Sequence, residues 1–177
     1  MFGWFKRREA AVRISDVIFM NMDGKYRYLL SLAGQEPQPV FVCWFEESAA
    51  ALQQYFETQE VSSALVILPR EVVGRHGSSI IFCEHHPSFK TEQQRFVQWS
   101  LTEAIVVSSL DEALFKAFGG ERIASLMKTL GMNEEEPISH PMVSTSIKKA
   151  QQKVDRKFTG FEQPAKSQAE WLNRHSG

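Results

Sequence analysis

The densest run of reactive side chains in this 177-residue chain is Cys83-Glu84-His85-His86, directly after the apolar run Ile80-Ile81-Phe82. A thiol, a carboxylate and two imidazoles belong to the donor set of a zinc site, and Cys43, at the end of another apolar run, could lie near Cys83. Spacing argues against a metal. Alternate residues of a strand point to opposite faces, and no second ligand pair stands at zinc-like spacing. The residues read instead as buried thiols beside polar strand-end histidines, and neither a metal nor a cofactor is expected. Nucleophilic catalysis is no better served. There is no Gly-x-Ser-x-Gly turn, and no Cys-His pair in a context that would lower a thiol pKa. Gly74-Arg75-His76-Gly77 could cradle an anion on backbone amides, but an ordinary turn is the simpler reading.

The elements that must position these groups follow from hydrophobic period. Ile80–Cys83 and Ala104–Val107 are short, β-branched apolar runs of the kind that form buried strands. Between them Phe89, Phe96 and Val97 stand at i, i+7 and i+8, which predicts a crossover helix. Ser109 with Glu112 three residues on is a capping box, and a helix is expected to begin there. Upstream, Val12–Met20, Val40–Phe45 and Ala64–Leu68 read as strands. Tyr26, Leu29, Leu30 and Ala33 mark a helix, as do Leu52, Tyr55 and Phe56, with Glu46 and Glu47 suited to the second helix's first turn. Downstream, Ile123, Leu126, Met127 and Leu130 mark another. A long stripe then follows at Val143, Ile147, Ala150, Val154 and Phe158. From residue 159 the pattern dissolves, leaving only Phe161 and Trp171 to pin a tail. Strand, helix, strand, helix is the grammar of a parallel sheet covered on both faces.

Composition narrows the function. Hydrophobic residues at 43% and charged residues at 23% are globular values. A formal net charge of -1, with 20 basic against 21 acidic residues, argues against a nucleic-acid binder. No run approaches the length of a membrane span. The first eight residues, MFGWFKRR, place their charges after the apolar residues and do not read as a secretory signal. Two cysteines in strand-like runs suit a reducing compartment, so a cytoplasmic protein is expected.

Across Leu110–Arg156 the residues resemble a known family. LDEALFKAFGGERIASLMKTLGM followed by PISHPMVSTSIKKAQQKVDRK is similar to SecA, the ATPase of the bacterial protein-secretion channel. The family has a matching acidic-Leu…Phe-Gly-Gly…Arg run, then Leu-Gly-Met, then a His-Pro-Met-Val…Ala-Gln-Lys-Val helix. Upstream, DVIFMNMDGKYRYLLSLAGQEPQPVFV resembles the strand-helix-strand that enters its second nucleotide-binding domain. Cys83-Glu84-His85-His86 stands where the family has Thr-Glu-Arg-His. The likeness runs from about Asp16 to Arg156. In the family the next helix carries Gln-x-x-Gly-Arg-x-Gly-Arg, whose arginines reach the nucleotide's γ-phosphate. The resemblance places Gln94 on that Gln, but Val97, Gln98 and Leu101 on the Gly and the two arginines. A guanidinium on a transferring phosphoryl group is worth roughly 10³–10⁵ in rate, which glutamine and leucine cannot supply. No Gly-x-x-x-x-Gly-Lys-[Ser/Thr] loop is present anywhere.

The expectation is therefore an α/β, RecA-like fold. It has about five largely parallel strands, helices on both faces and a C-terminal helical extension. Residues 1–11 form an N-terminal segment, 12–131 the α/β domain, 132–158 a scaffold-like helix and 159–177 a tail. The expected function is a non-catalytic SecA-like adaptor or scaffold linked to protein export. The alternative is a nucleotide-binding half-site completed by another subunit. The expected partner is another protein, met through Phe2, Trp4, Phe5, Trp44, His85 and His86. Residues 2–8 would also allow a peripheral membrane contact, because aromatics followed by Lys6, Arg7 and Arg8 suit an interfacial anchor.

Overall fold

A computed structural model describes residues 11–73, 79–129, 131, 133, 135–138, 141–158 and 160–175. Five strands build one sheet: β1 (Arg13–Phe19), β2 (Val40–Val42), β3 (Val66–Ile67), β4 (Ile80–Phe82) and β5 (Glu103–Ser109). Their order is β1-β5-β4-β2-β3, and every pairing is parallel. The fold is a parallel α/β fold consistent with a RecA-like domain.

The two faces follow from the alternation along the strands. Phe19, Phe41, Cys43, Ile81, Cys83 and Val107 point to one side, where α1 (Met22–Ala33) and α2 (Glu46–Thr58) cover them with Leu29, Leu52 and Phe56. Val40, Val42, Ile67, Phe82, Ala104 and Val106 point to the other, against Phe96 of α3 (Phe89–Gln98). Side-chain caps start two of these helices. Asn21 Oδ1 accepts the Gly24 N–H at 2.9 Å ahead of α1, and Ser88 Oγ accepts the Thr91 N–H at 3.1 Å ahead of α3.

After β5 come α4 (Ala113–Ala117), α5 (Gly120–Thr129) and α6 (Pro141–Lys157). They enclose a further apolar cluster of Ile18, Met20, Leu110, Phe115, Ile138 and Ile147. The stripe expected on α6 faces inward, with Ile147 and Val154 buried. The turn between α4 and α5 needs Gly120, because a Cβ there would come within 2.9 Å of the Leu110 carbonyl oxygen. Gly131, with φ +74, follows α5 in the left-handed region that glycine favours.

Three elements differ from expectation. The run Val40–Phe45 reads as one strand, yet pairing stops at Val42, because the Trp44 and Phe45 N–H groups turn to the Glu84 carboxylate instead of a neighbouring strand. The helix expected at Ser109 begins at Ala113. Glu112 does accept the Ser109 N–H at 2.9 Å, but the Ser109 hydroxyl lies against Met22 Sδ, so only half of a capping box forms. Finally, the stretch read as a patternless tail contains α7 (Gln168–His175), with Trp171 and Leu172 buried; Phe161 is 97% exposed and pins nothing.

Candidate functional site

From the carboxyl end of β2 the chain turns into α2 on one face of the sheet. From the carboxyl end of β4 it turns into α3 on the other. Where neighbouring strands part in this way a crevice opens, and open α/β sheets place their ligands there. Cys43-Trp44-Phe45 and Cys83-Glu84-His85-His86 meet at this point, as the sequence leads one to expect.

Glu84 holds the two strand ends together. Its Oε1 accepts the N–H groups of Trp44 (3.0 Å) and Phe45 (3.3 Å), and its Oε2 accepts the Ser48 hydroxyl (2.9 Å). Burial pushes its carboxyl up to about 7, with Glu112 adding to the rise, while Lys25 and the Ser48 and Phe45 hydrogen bonds pull against it. Lys25 and Glu112 form a buried ion pair of 2.7 Å. Burial alone would lower the ammonium's pKa, but the charges of Glu112 and Glu84 outweigh it and raise it above the ordinary lysine value. The neighbouring Cys83 and burial push the Cys43 thiol well up, so it is held protonated. A cavity of about 270 Å³ is bordered by Lys25, Cys43, Glu84, Glu112 and Gln168.

His85 lies between two carboxylates. Its Nε2 is 2.9 Å from Asp16 Oδ1 and its Nδ1 is 3.0 Å from Glu92 Oε1. Burial disfavours the charged ring, yet Glu92 and Asp16 more than compensate and carry its pKa up to about 10. Both ring nitrogens therefore donate. Asp16 responds in the opposite sense: burial raises it, but the bond and charge of His85 leave it below the ordinary aspartate value. Glu92 also accepts the His86 N–H at 3.0 Å and Gln151 Nε2 at 2.9 Å. Gln151 belongs to α6, so this helix is tied to the end of β4 through a buried carboxylate.

The C-terminal segment closes the crevice. His86 Nδ1 accepts the Ser88 N–H at 3.1 Å, which leaves Nε2 to donate to Glu162 Oε1 at 3.0 Å. Glu162 also accepts Trp171 Nε1 at 2.8 Å and the Thr91 hydroxyl at 3.2 Å. Burial would raise its carboxyl, but His86, Trp171 and Thr91 hold it down at about 2. Gln168 bridges the start of α4 and the loop after β4, accepting the Leu114 N–H at 2.6 Å and donating to the His85 carbonyl at 2.9 Å. Trp171 lies edge-on to His86 at 5.2 Å between ring centres. On the other flank Trp44 meets His86 edge-on and stacks with Phe82 and Trp99.

The expected contact residues are thus split. His85 and His86 are only 1% and 4% exposed, so they present no surface to a partner. The reason is that remote segments supply carboxylates to their rings: Asp16 on β1, Glu92 on α3 and Glu162 before α7. Trp44 is half-buried and keeps one flank at the surface. Phe2, Trp4 and Phe5 lie outside the described residues. Among the described residues no group of three or more His, Cys, Asp and Glu is arranged to hold a metal, and no helix is long and apolar enough to cross a membrane.

Sequence reasoning missed Lys25, Asp16, Glu92, Gln151, Glu162 and Gln168. For Lys25 a signal existed: it stands four residues before Leu29 and eight before Ala33, on the apolar face of α1.

Over a stretch of 103 residues, 56% of this chain, the sequence is 32% identical to the protein translocase subunit SecA of Rickettsia prowazekii. Over 100 residues, 54% of the chain, it is 33% identical to the same subunit of Rickettsia canadensis. A segment of this chain is related to SecA. The matched region covers 11% of each relative, so the chain spans only about a ninth of the SecA sequences it matches. No family model matches the chain. Gln98 and Leu101, which the resemblance sets against the family's arginines, lie at and just after the end of α3. Here Gln98 is exposed and accepts Arg95 Nη1 at 3.2 Å, and Leu101 packs in the cluster around Phe82 and Phe96.

Proposed function

We propose that this chain is a SecA-related, non-catalytic interaction module that serves as an adaptor or scaffold in protein translocation. The link to translocation comes from its relatives, which are named as translocase subunits. The observation that carries the non-catalytic reading is the internal bonding of the crevice. Where an open α/β sheet receives a ligand, Trp44, His86, Glu162, Gln168 and Trp171 take part in bonds or ring contacts within the chain and leave a cavity of about 270 Å³. Of the buried side-chain polar atoms there, the Trp44 indole N–H and one Glu112 oxygen lack a partner. The glutamine and leucine at the positions of the family's phosphate-reaching arginines support the same reading. The contact then falls to the half-buried Trp44 and to the aromatic-basic sequence of Phe2, Trp4 and Phe5 followed by Lys6, Arg7 and Arg8.

The test is affinity capture from native cytosol with and without ATP and Mg²⁺. A partner retained equally in both conditions supports the adaptor. A partner retained only with ATP rejects it in favour of a nucleotide half-site completed by another subunit. Deleting residues 2–8 is expected to weaken capture.

A further inference from the structure

Beside the crevice lies an open cleft of about 860 Å³ that the reading so far leaves unused. Three segments wall it: the turn after β3 with Leu68, Pro69 and Arg70; the C-terminal half of α3 with Arg95 and Trp99; and the run from Pro164 to Arg174. Trp44 forms part of its apolar wall, stacked on Trp99 with ring centres 5.8 Å apart. Four cations border the cleft, Arg70, Arg95, Lys166 and Arg174, against two carboxylates, Glu46 and Glu170. One carboxylate is already engaged, since Glu170 pairs with Arg174 and accepts the Lys166 N–H. Arg70 and Lys166 are exposed and take part in no ion pair among the described residues. A chain of net charge -1 thus gathers unmatched positive charge around one aromatic-walled cleft.

We infer that this cleft binds an extended acidic peptide segment of a partner protein, with an aromatic side chain laid against Trp99 and carboxylates reaching Arg70 and Lys166. The inference rests on the adaptor reading and names the chemistry of its partner. Arg70 and Lys166 stand on separate walls of the cleft, which suits carboxylates spread along a chain better than a single compact phosphate. Pro69 and Pro164 have no N–H to offer, and the Leu68 and Lys166 N–H groups are already bonded to Glu71 and Glu170, which leaves the exposed side chains of Arg70 and Lys166 as the charges available to an anion. Partly exposed aromatic rings next to an unpaired guanidinium are a composition enriched at protein interfaces.

The test is titration calorimetry of the full chain with the blocked peptide EDFEDE, its basic counterpart KKFKKK, inorganic phosphate and ATP. The acidic peptide is expected to bind, and to bind about tenfold more weakly in 300 mM than in 50 mM salt, because exposed charges are screened. The double variant Arg70→Glu, Lys166→Glu is expected to lose binding by tenfold or more with its melting temperature unchanged. Arg70→Gln, Lys166→Gln is expected to fall between it and the native chain. Equal binding of the two peptides, or full binding by the charge-reversed variant, overturns the inference. So does displacement of the peptide by phosphate or ATP at comparable concentration, which would mark a small-anion site. A cytosolic partner captured undiminished by the charge-reversed variant removes the cleft but leaves the adaptor standing. Absence of any ATP-independent partner removes the adaptor, whatever the peptide does.

Discussion

His85, held between Asp16 and Glu92 and bonded through its carbonyl to Gln168, helps set how the protein answers to pH. Its folded pKa of about 10 lies above the ordinary value of 6.5, so the folded state holds the proton more tightly than the unfolded chain. The stability this contributes is complete below pH 6.5 and is lost as pH rises to about 10. Glu162 works in the opposite sense: held at about 2 against an ordinary 4.5, its contribution is present above pH 4.5 and lost as pH falls toward 2. Urea midpoints measured across pH are therefore expected to decline on both flanks. A midpoint that stays flat from pH 6.5 to 10 would show that His85 does not hold its proton between Asp16 and Glu92. Replacing the ring leaves those two carboxylates buried without their cation. His85→Ala is expected to cost about 3–5 kcal/mol in denaturant melts, the range for breaking a buried pair from one side.

At the scale of elements, α6 and α7 do different jobs. α6 supplies apolar burial, and Ile147→Ala is expected to cost about 2–5 kcal/mol, as large-to-small core changes do. A loss below about 1 kcal/mol would mean that the stripe is not core. α7 supplies a lid on the strand ends. Trp171→Ala is expected to cost about 3–5 kcal/mol. Because its indole N–H bonds Glu162, the same change is expected to weaken the low-pH dependence that Glu162 creates. These two helices were not equally readable from sequence. The α6 stripe is apolar at Val143, Ile147, Ala150 and Val154, so its period stands out. In α7 the inward positions are Gln168, Trp171, Leu172 and His175, at the helical spacing i, i+3, i+4 and i+7, but two of the four are polar and hydrophobicity alone does not register them. The sheet's two-sidedness was legible for another reason, since Val40-Phe41-Val42-Cys43 is apolar at every position, as a strand covered on both faces must be. The partners of His85 and His86 were not, because Asp16, Glu92 and Glu162 are separated widely in sequence and only the fold brings them together.

For the whole molecule the decisive measurement is nucleotide. The proposed non-catalytic role rests on the internally bonded crevice and on reading Gln98 and Leu101 at the positions of the family's arginines. Calorimetry with ATP and Mg²⁺ is expected to show no binding tighter than about 1 mM, equivalent to about −4 kcal/mol. A micromolar isotherm would reject the non-catalytic reading.

The position of α7 in the chain has a consequence for synthesis. The last strand ends at Ser109, but the glutamine and tryptophan that close the strand ends arrive only with residues 168–175. At the usual translation rate of about 5–20 residues per second, the ribosome takes on the order of 3 to 13 s to cover that interval. During this time a nascent sheet has its His85 carbonyl, its Leu114 N–H and one face of His86 open to water. While α7 is still in the ribosomal tunnel, burial of Trp171 is delayed. A chain released before residue 168 would leave the ribosome with its aromatic seam exposed, an open invitation to whatever binds unfinished proteins.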